Sequence, residues 1–113
     1  MARIPDPPYY AVIFTSARRI NDEDGYSRMS RLMEETAADQ PGFLGLETAR
    51  DADGFGITIS YWTDLASIRR WKQNADHLEA QARGRSQWYS RYEVKIAKVE
   101  TSYAFEATMQ GSL

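Results

Sequence analysis

His77 is the single imidazole of this 113-residue chain, and there is no cysteine. Histidine is the one side chain present whose ordinary pKa suits proton abstraction from a phenol near neutral pH. His77 follows Trp71 by six residues, Gln73 by four and Asn74 by three, within a segment of helical periodicity. Helical arithmetic turns it about 120° from the Trp71 direction, towards either a pocket edge or solvent. Trp71 lies on the apolar stripe, one turn from both Ser67 and Asn74. It is either core packing or a pocket wall, and a buried indole N–H asks for an acceptor nearby. A second constellation, Arg83, Arg85, Trp88, Tyr89, Arg91 and Tyr92, mixes cations with aromatic rings. It suits the mouth of a pocket for a planar anion, through stacking and charge-assisted hydrogen bonds, or a rim of long cationic chains over core aromatics. Arg18–Arg19 and Arg69-Arg70-Lys72 read as solvated faces.

Several chemistries are excluded. Without cysteine there are no disulfides, thiol nucleophiles, iron–sulfur clusters or thiolate zinc sites. One histidine leaves few metal-site designs, and no metal is assigned. Asp51 and Asp53 lie in a turn, and no acid pair has glycosidase spacing. Gly54-Phe55-Gly56 lacks the surroundings of a phosphate loop, and Thr58 and Ser60 have no demonstrable base for a hydrolase. Sixteen acidic against fourteen basic residues leave a net charge of −2, so no positive field draws nucleic acid or an anionic membrane. No segment has the length of a signal peptide core or a membrane span, and the chain reads as soluble and cytoplasmic.

The elements that must position these residues follow from periodicity. Residues 1–8, with three prolines, form an extended arm. Residues 9–106 form one domain, and 107–113 a tail. Tyr9 to Ala17 is apolar on both alternating sets and reads as a central strand. Asn21 or Asp22 caps a helix carrying Tyr26, Met29, Leu32, Met33 and Thr36, ending near Ala38. Phe43 to Arg50 and Phe55 onwards pair as a hairpin through Asp51-Ala52-Asp53-Gly54. In the third strand Phe55, Ile57, Ile59 and Tyr61 form the expected core face, while Gly56, Thr58, Ser60 and Trp62 leave space above them. Asp64 caps a second helix with Leu65, Ile68, Trp71, Ala75, Leu78 and Ala82 on its stripe, stopping near Gly84. The last strand changes phase between Ile96 and Val99, which predicts a bulge near Ala97-Lys98 and a continuation through Tyr103 and Phe105. The order β-α-β-β-α-β predicts an α+β, ferredoxin-like domain with a four-stranded antiparallel sheet and two helices on one face. The uncovered sheet face is apolar and calls for a second copy of the chain, a homodimer packed sheet to sheet.

The Pro41-Gly42-Phe43-Leu44-Gly45 turn, the Ile59-Ser60-Tyr61-Trp62 strand end, the Asp64 to Lys72 helix, His77 and Val99-Glu100 together resemble the antibiotic biosynthesis monooxygenase superfamily of dimeric α+β barrels. The resemblance spans roughly residues 9 to 105. It implies a pocket between helices and sheet with Trp71 lent by the second helix. It also implies a small monooxygenase that needs no cofactor and acts on an aromatic, phenolic or polyketide-like molecule. In that setting Trp71, Trp88 and Tyr61 are expected as walls and His77 as base or hydrogen-bond partner. Ser67, Asn74 and Tyr89 are expected as further contacts, and Arg85 or Arg91 as the charge for a substrate anion. A ligand-binding dimer without turnover is the rival. Haem degradation fits less well: its axial histidine position is Gln81 here, and residues 11–16 contain no asparagine.

Overall fold

The computed structural model describes residues 4–18, 23–81 and 89–107, with backbone alone at 23–27 and 78–81. The elements are β1 (Tyr9–Arg18), α1 (Glu23–Ala38), β2 (Phe43–Arg50), β3 (Phe55–Trp62), α2 (Leu65–Gln81) and β4 (Tyr89–Val99). The four strands form one sheet in the order β2-β3-β1-β4, every neighbouring pair antiparallel. This is the ferredoxin-like α+β plan, with β1 central as its two apolar sets require.

Local chemistry sets the joints. In the hairpin, Asp51 Oδ1 accepts the backbone N–H groups of Asp53 and Phe55 at 3.0 and 2.9 Å, and Gly54 supplies a φ of 93°. Asp64 caps α2, its Oδ1 accepting Ser67 N–H at 2.7 Å, which meets one of the donors a helix start leaves open. The expected caps at Asn21 and Asp22, and the expected helix stop at Gly84, lie outside the described residues. Gly42, at a φ of 86°, comes so close to α2 that a Cβ there would lie 2.1 Å from Ser67 Oγ. Its carbonyl accepts Thr63 N–H at 2.9 Å, so the start of β2 and the start of α2 are fastened together.

Strand register divides the side chains between two faces. Val12 opposes Ser60, Phe14 opposes Thr58 and Ser16 opposes Gly56, while Leu46 opposes Ser60 and Arg50 opposes Gly56. This is the face beneath the helices. Its core is Trp62, fully buried, with Ile68 and Ala37 and the flanking rings of Phe43 and Trp71. The core of β3 is therefore on the face opposite to the one its periodicity suggests. Phe55 and Ile57 remain exposed on the far side, at 48% and 37%, because one large ring, Trp62, fills the helix interface more completely than the aliphatic set. The expected stripes are likewise partial: Leu32 and Leu65 at their outer edges are exposed.

The last strand also differs from expectation. Pairing with β1 runs unbroken from Val99 back to Arg91, and the irregularity falls between Ala17 and Arg18 instead. The three-residue step in the apolar pattern marks the end of β4 at Val99. Beyond it Tyr103 and Phe105 stand in solvent at 100% and 89% exposure. The radius of gyration, 16.0 Å, exceeds the roughly 13 Å of a compact chain this long. No helix among the described residues is long and apolar enough to cross a membrane.

Candidate functional site

A cavity of about 190 Å³ lies between the sheet and both helices. The sheet forms its floor through Val12, Phe14, Leu46, Thr58 and Ser60, with Arg50 at the hairpin end. Met29, Met33 and Ala37 of α1 face it at helical spacing, and Ser30 and Glu34, one position further round, line it as well. Trp71 and Ala75 of α2 complete the wall, and Tyr89 closes the β4 side. Most of this lining is hydrocarbon or aromatic, so a ligand is drawn in by apolar burial and oriented by the few polar groups.

Ser60 is the polar centre of the floor. It is buried, and its Oγ accepts the indole N–H of Trp62 at 2.9 Å. A hydroxyl has one donor and two acceptor sites, so accepting from Trp62 leaves its proton for a ligand oxygen. Thr58 Oγ1 is engaged with Thr48 Oγ1 at 3.0 Å. Trp71 stacks on Trp62, centroids 6.3 Å apart and planes 21° apart, while Phe43 meets the Trp62 ring edge-on at 5.4 Å. This clamp fixes the angle at which Trp71 presents itself to the cavity. At the other end Phe14 stacks on Tyr92 and meets the edge of Tyr89, both at 5.5 Å.

The structure brings together two of the residues expected from the sequence, Trp71 and Tyr89. Ser67 is buried beneath Gly42 and accepts from Arg70 Nη2 at 3.1 Å, so it joins elements and does not line the cavity. Asn74 is exposed and donates to Gln40 Oε1 at 3.2 Å, tying α2 to the end of α1. His77 is exposed and is not among the cavity-lining residues. Tyr61 lies on the far face, its ring edge-on to Tyr9 at 5.6 Å and its hydroxyl donating to Glu47 Oε1 at 2.6 Å. Burial and the Glu47 carboxylate push its pKa up to about 12. Arg91, opposite Ala17, shares that far face and lies 3.7 Å from Glu93. Arg85 and Trp88 lie outside the described residues.

Ser60, Glu34 and Arg50 line the cavity and were not marked as candidate site residues by the sequence. The small polar set of β3 did signal open space above it, and Ser60 is where that signal leads. Glu34 carries no such signal, because it follows the inward Met33 by one position and becomes a rim residue only once α1 is set on the sheet.

The family model described as antibiotic biosynthesis monooxygenase matches residues 8–83. "Uncharacterized protein YqjZ" of Bacillus subtilis is 47% identical over 106 residues, spanning 94% of this chain and 92% of that protein. "Jasmonate monooxygenase ABM" of Pyricularia oryzae is 28% identical over 82% of this chain, which spans 44% of the fungal protein. Among solved structures, a mutant form of SnoaB, a cofactor-independent oxygenase from Streptomyces nogalater, superposes with a TM-score of 0.64 at 17% identity, covering 91% of this chain and 98% of that one. At that identity the likeness is one of fold.

Proposed function

Because the chain belongs to the antibiotic biosynthesis monooxygenase family, we propose that it is a small cofactor-independent monooxygenase of an electron-rich aromatic, phenolic or polyketide-like molecule. The observation that carries the reading is an apolar cavity walled by a clamped indole, Trp71, with one available hydroxyl proton, that of Ser60, on its floor. An apolar cavity of about 150 Å³ admits benzene, so about 190 Å³ has room for at least one aromatic ring. The names of the fungal and streptomycete proteins support the reaction class.

The chemistry asks little of the protein beyond binding, deprotonation and shielding. Removal of a proton from an activated CH2 gives a substrate anion that passes one electron to O2. The two radicals join as a hydroperoxide at carbon, and loss of water leaves a carbonyl. CH2 and O2 thus become C=O and H2O, with no outside reductant. The Ser60 hydroxyl donates to the substrate oxygen on which negative charge collects. Glu34, the one acidic side chain among the described residues that line the cavity, is assigned the role of proton acceptor. The reading runs through Glu34 and not through His77, which lies off that lining.

The active form is a homodimer. Phe55 and Ile57 on the far sheet face, and Tyr103 and Phe105 beyond β4, are exposed in one chain, and burial against a second copy removes this apolar surface from water.

Oxygen uptake with a panel of anthrones and hydroquinones, without metal or flavin, tests the reading. Saturable turnover is expected. Ser60→Ala should lower kcat by about 10²-fold, as loss of one oxyanion donor does elsewhere. Glu34→Gln and Trp71→Phe should lower it too, and His77→Ala should leave it close to wild type. Ligand binding without oxygen uptake across the panel would replace the enzyme by a binding protein.

A further inference from the structure

The polar groups of the cavity are unevenly distributed along its length. At the Trp71 end the floor offers the Ser60 hydroxyl. Four residues back along β3, about 13 Å away at ordinary strand rise, is Gly56, and there the floor changes character. Gly56 pairs with Arg50 on one side and with Ser16 on the other. A Cβ on Gly56 would lie 2.8 Å from Arg50 Cζ and 2.9 and 3.0 Å from its terminal nitrogens. The guanidinium therefore lies directly over the glycine, in space that any other residue would fill. Arg50 Nη1 donates to Gly54 O at 3.0 Å, which fixes the plane of the group. Arg50 also lines the cavity.

Two neighbours add to this corner. Ser16, on the same face and opposite Gly56, is 2% exposed, and its Oγ has no hydrogen-bond partner among the described residues. A buried hydroxyl left this way is costly, and an oxygen-bearing anion beside Arg50 would satisfy it. Arg18, two residues further along the same face, buries Nε and one terminal nitrogen, adding a second positive charge. The hairpin acid Asp51 has Oδ1 committed to the turn. The other charged residue among those lining the cavity is Glu34, across from the sheet on α1.

We infer that the Arg50 end of the cavity is a carboxylate-recognition subsite, so that the ligand is a small organic acid with its apolar or aromatic body towards Trp71 and Ser60. A guanidinium presents five donors in a rigid plane matched to the two oxygens of a carboxylate. Held flat over Gly56, it is already ordered before the ligand arrives, which reduces the entropy lost on binding. The inference rests on the cavity being the substrate site proposed above, and it names the class of substrate that site takes.

The test compares dihydroxyphenylacetate with its methyl ester, in which the carboxylate charge is replaced by a neutral ester. Binding is read by titration calorimetry at pH 7, and turnover by oxygen uptake on the same compounds. The acid should bind roughly ten- to hundredfold more tightly than the ester, the range of a hydrogen bond to a charged group. Arg50→Met should abolish the preference while leaving ester binding near wild type. Gly56→Ala, which keeps the charge but displaces the guanidinium, should reduce the preference. Equal binding of acid and ester, or equal weakening of both by Arg50→Met, would overturn the subsite. So would failure of both compounds to bind. A preference for the acid that depends on Arg50, without any oxygen uptake, would uphold the subsite and remove the monooxygenase reading.

Discussion

Trp62 and Ser60 illustrate how one pair of side chains can serve packing and chemistry together. The indole fills the interface between helix and sheet, and its N–H finds an acceptor two residues back on the same strand. Loss of Ser60 Oγ therefore removes a donor from the cavity and also strands a buried N–H, which costs about 1–3 kcal/mol. Ser60→Ala is expected to lower stability as well as kcat, whereas Ser60→Thr, which keeps the hydroxyl, should restore most of the stability in a denaturant titration. On the far face, Tyr61 makes a separate pH prediction. Its folded-state pKa, about 12, stands above the ordinary tyrosine value of 10.0, so its contribution to stability is fully present below the unfolded-state pKa and lost as the pH rises through the folded one. Spectrophotometric titration should show one tyrosine ionising last, and Tyr61→Phe should remove that late step. Glu47→Gln should move it down. The helical stripe left Trp71 open as core packing or pocket wall, and the family resemblance implied the wall; the sequence could not place Tyr61. Period two divides a strand into two sets without saying which set faces the helices, and the aliphatic set was the larger hydrophobic signal.

At the scale of elements, the fold is fastened where β2 begins and α2 begins. Gly42 needs both its positive φ and its missing Cβ. Gly42→Ala incurs left-handed strain of about 1–2 kcal/mol and overpacking of about 1–3 kcal/mol against Ser67. Together these are a large fraction of an ordinary domain's stability. The variant should be poorly folded near body temperature, as read by thermal melting. Asp64 adds an acid dependence to the same junction. The hydrogen bond from Ser67 N–H, with smaller help from Thr63 and Arg70, holds its carboxyl below the usual carboxylate range. Its contribution is present above the unfolded-state pKa and lost as the pH falls through the lower folded value, so Asp64→Asn should flatten the acid side of the stability profile. These elements were readable because turns and caps are local: proline followed by glycine, an aspartate before an apolar stripe, an acid-glycine hairpin. The end of β4 was not readable. An apolar pattern that continues past Val99 looks the same whether its partner is the next strand or another molecule.

For the whole molecule, the apolar residues left exposed predict a concentration-dependent assembly. Removing residues 101–113, which include Tyr103 and Phe105, should convert a dimer into a monomer in sedimentation. Ile57→Asp, on the far sheet face, should do the same without shortening the chain. Ile57, Tyr103 and Phe105 are not among the residues lining the cavity, so a loss of turnover on dilution that Ile57→Asp reproduces would follow assembly and not chemistry. The expectation of a second apolar surface came from β1, whose two alternating sets are both rich in apolar side chains. It could not disclose the cavity, which exists only where α1, α2 and the sheet fail to meet completely. The alternation of β3 has a further result. Backbone pairing in the sheet is independent of which side chains point upward, so a change at Thr58 or Ser60 alters what the floor offers a ligand without moving the strands, although at Ser60 it also takes away the acceptor of the Trp62 indole. A floor residue can therefore be replaced singly, and the ligand the cavity accepts altered, while strand register, caps and turns stay as they are.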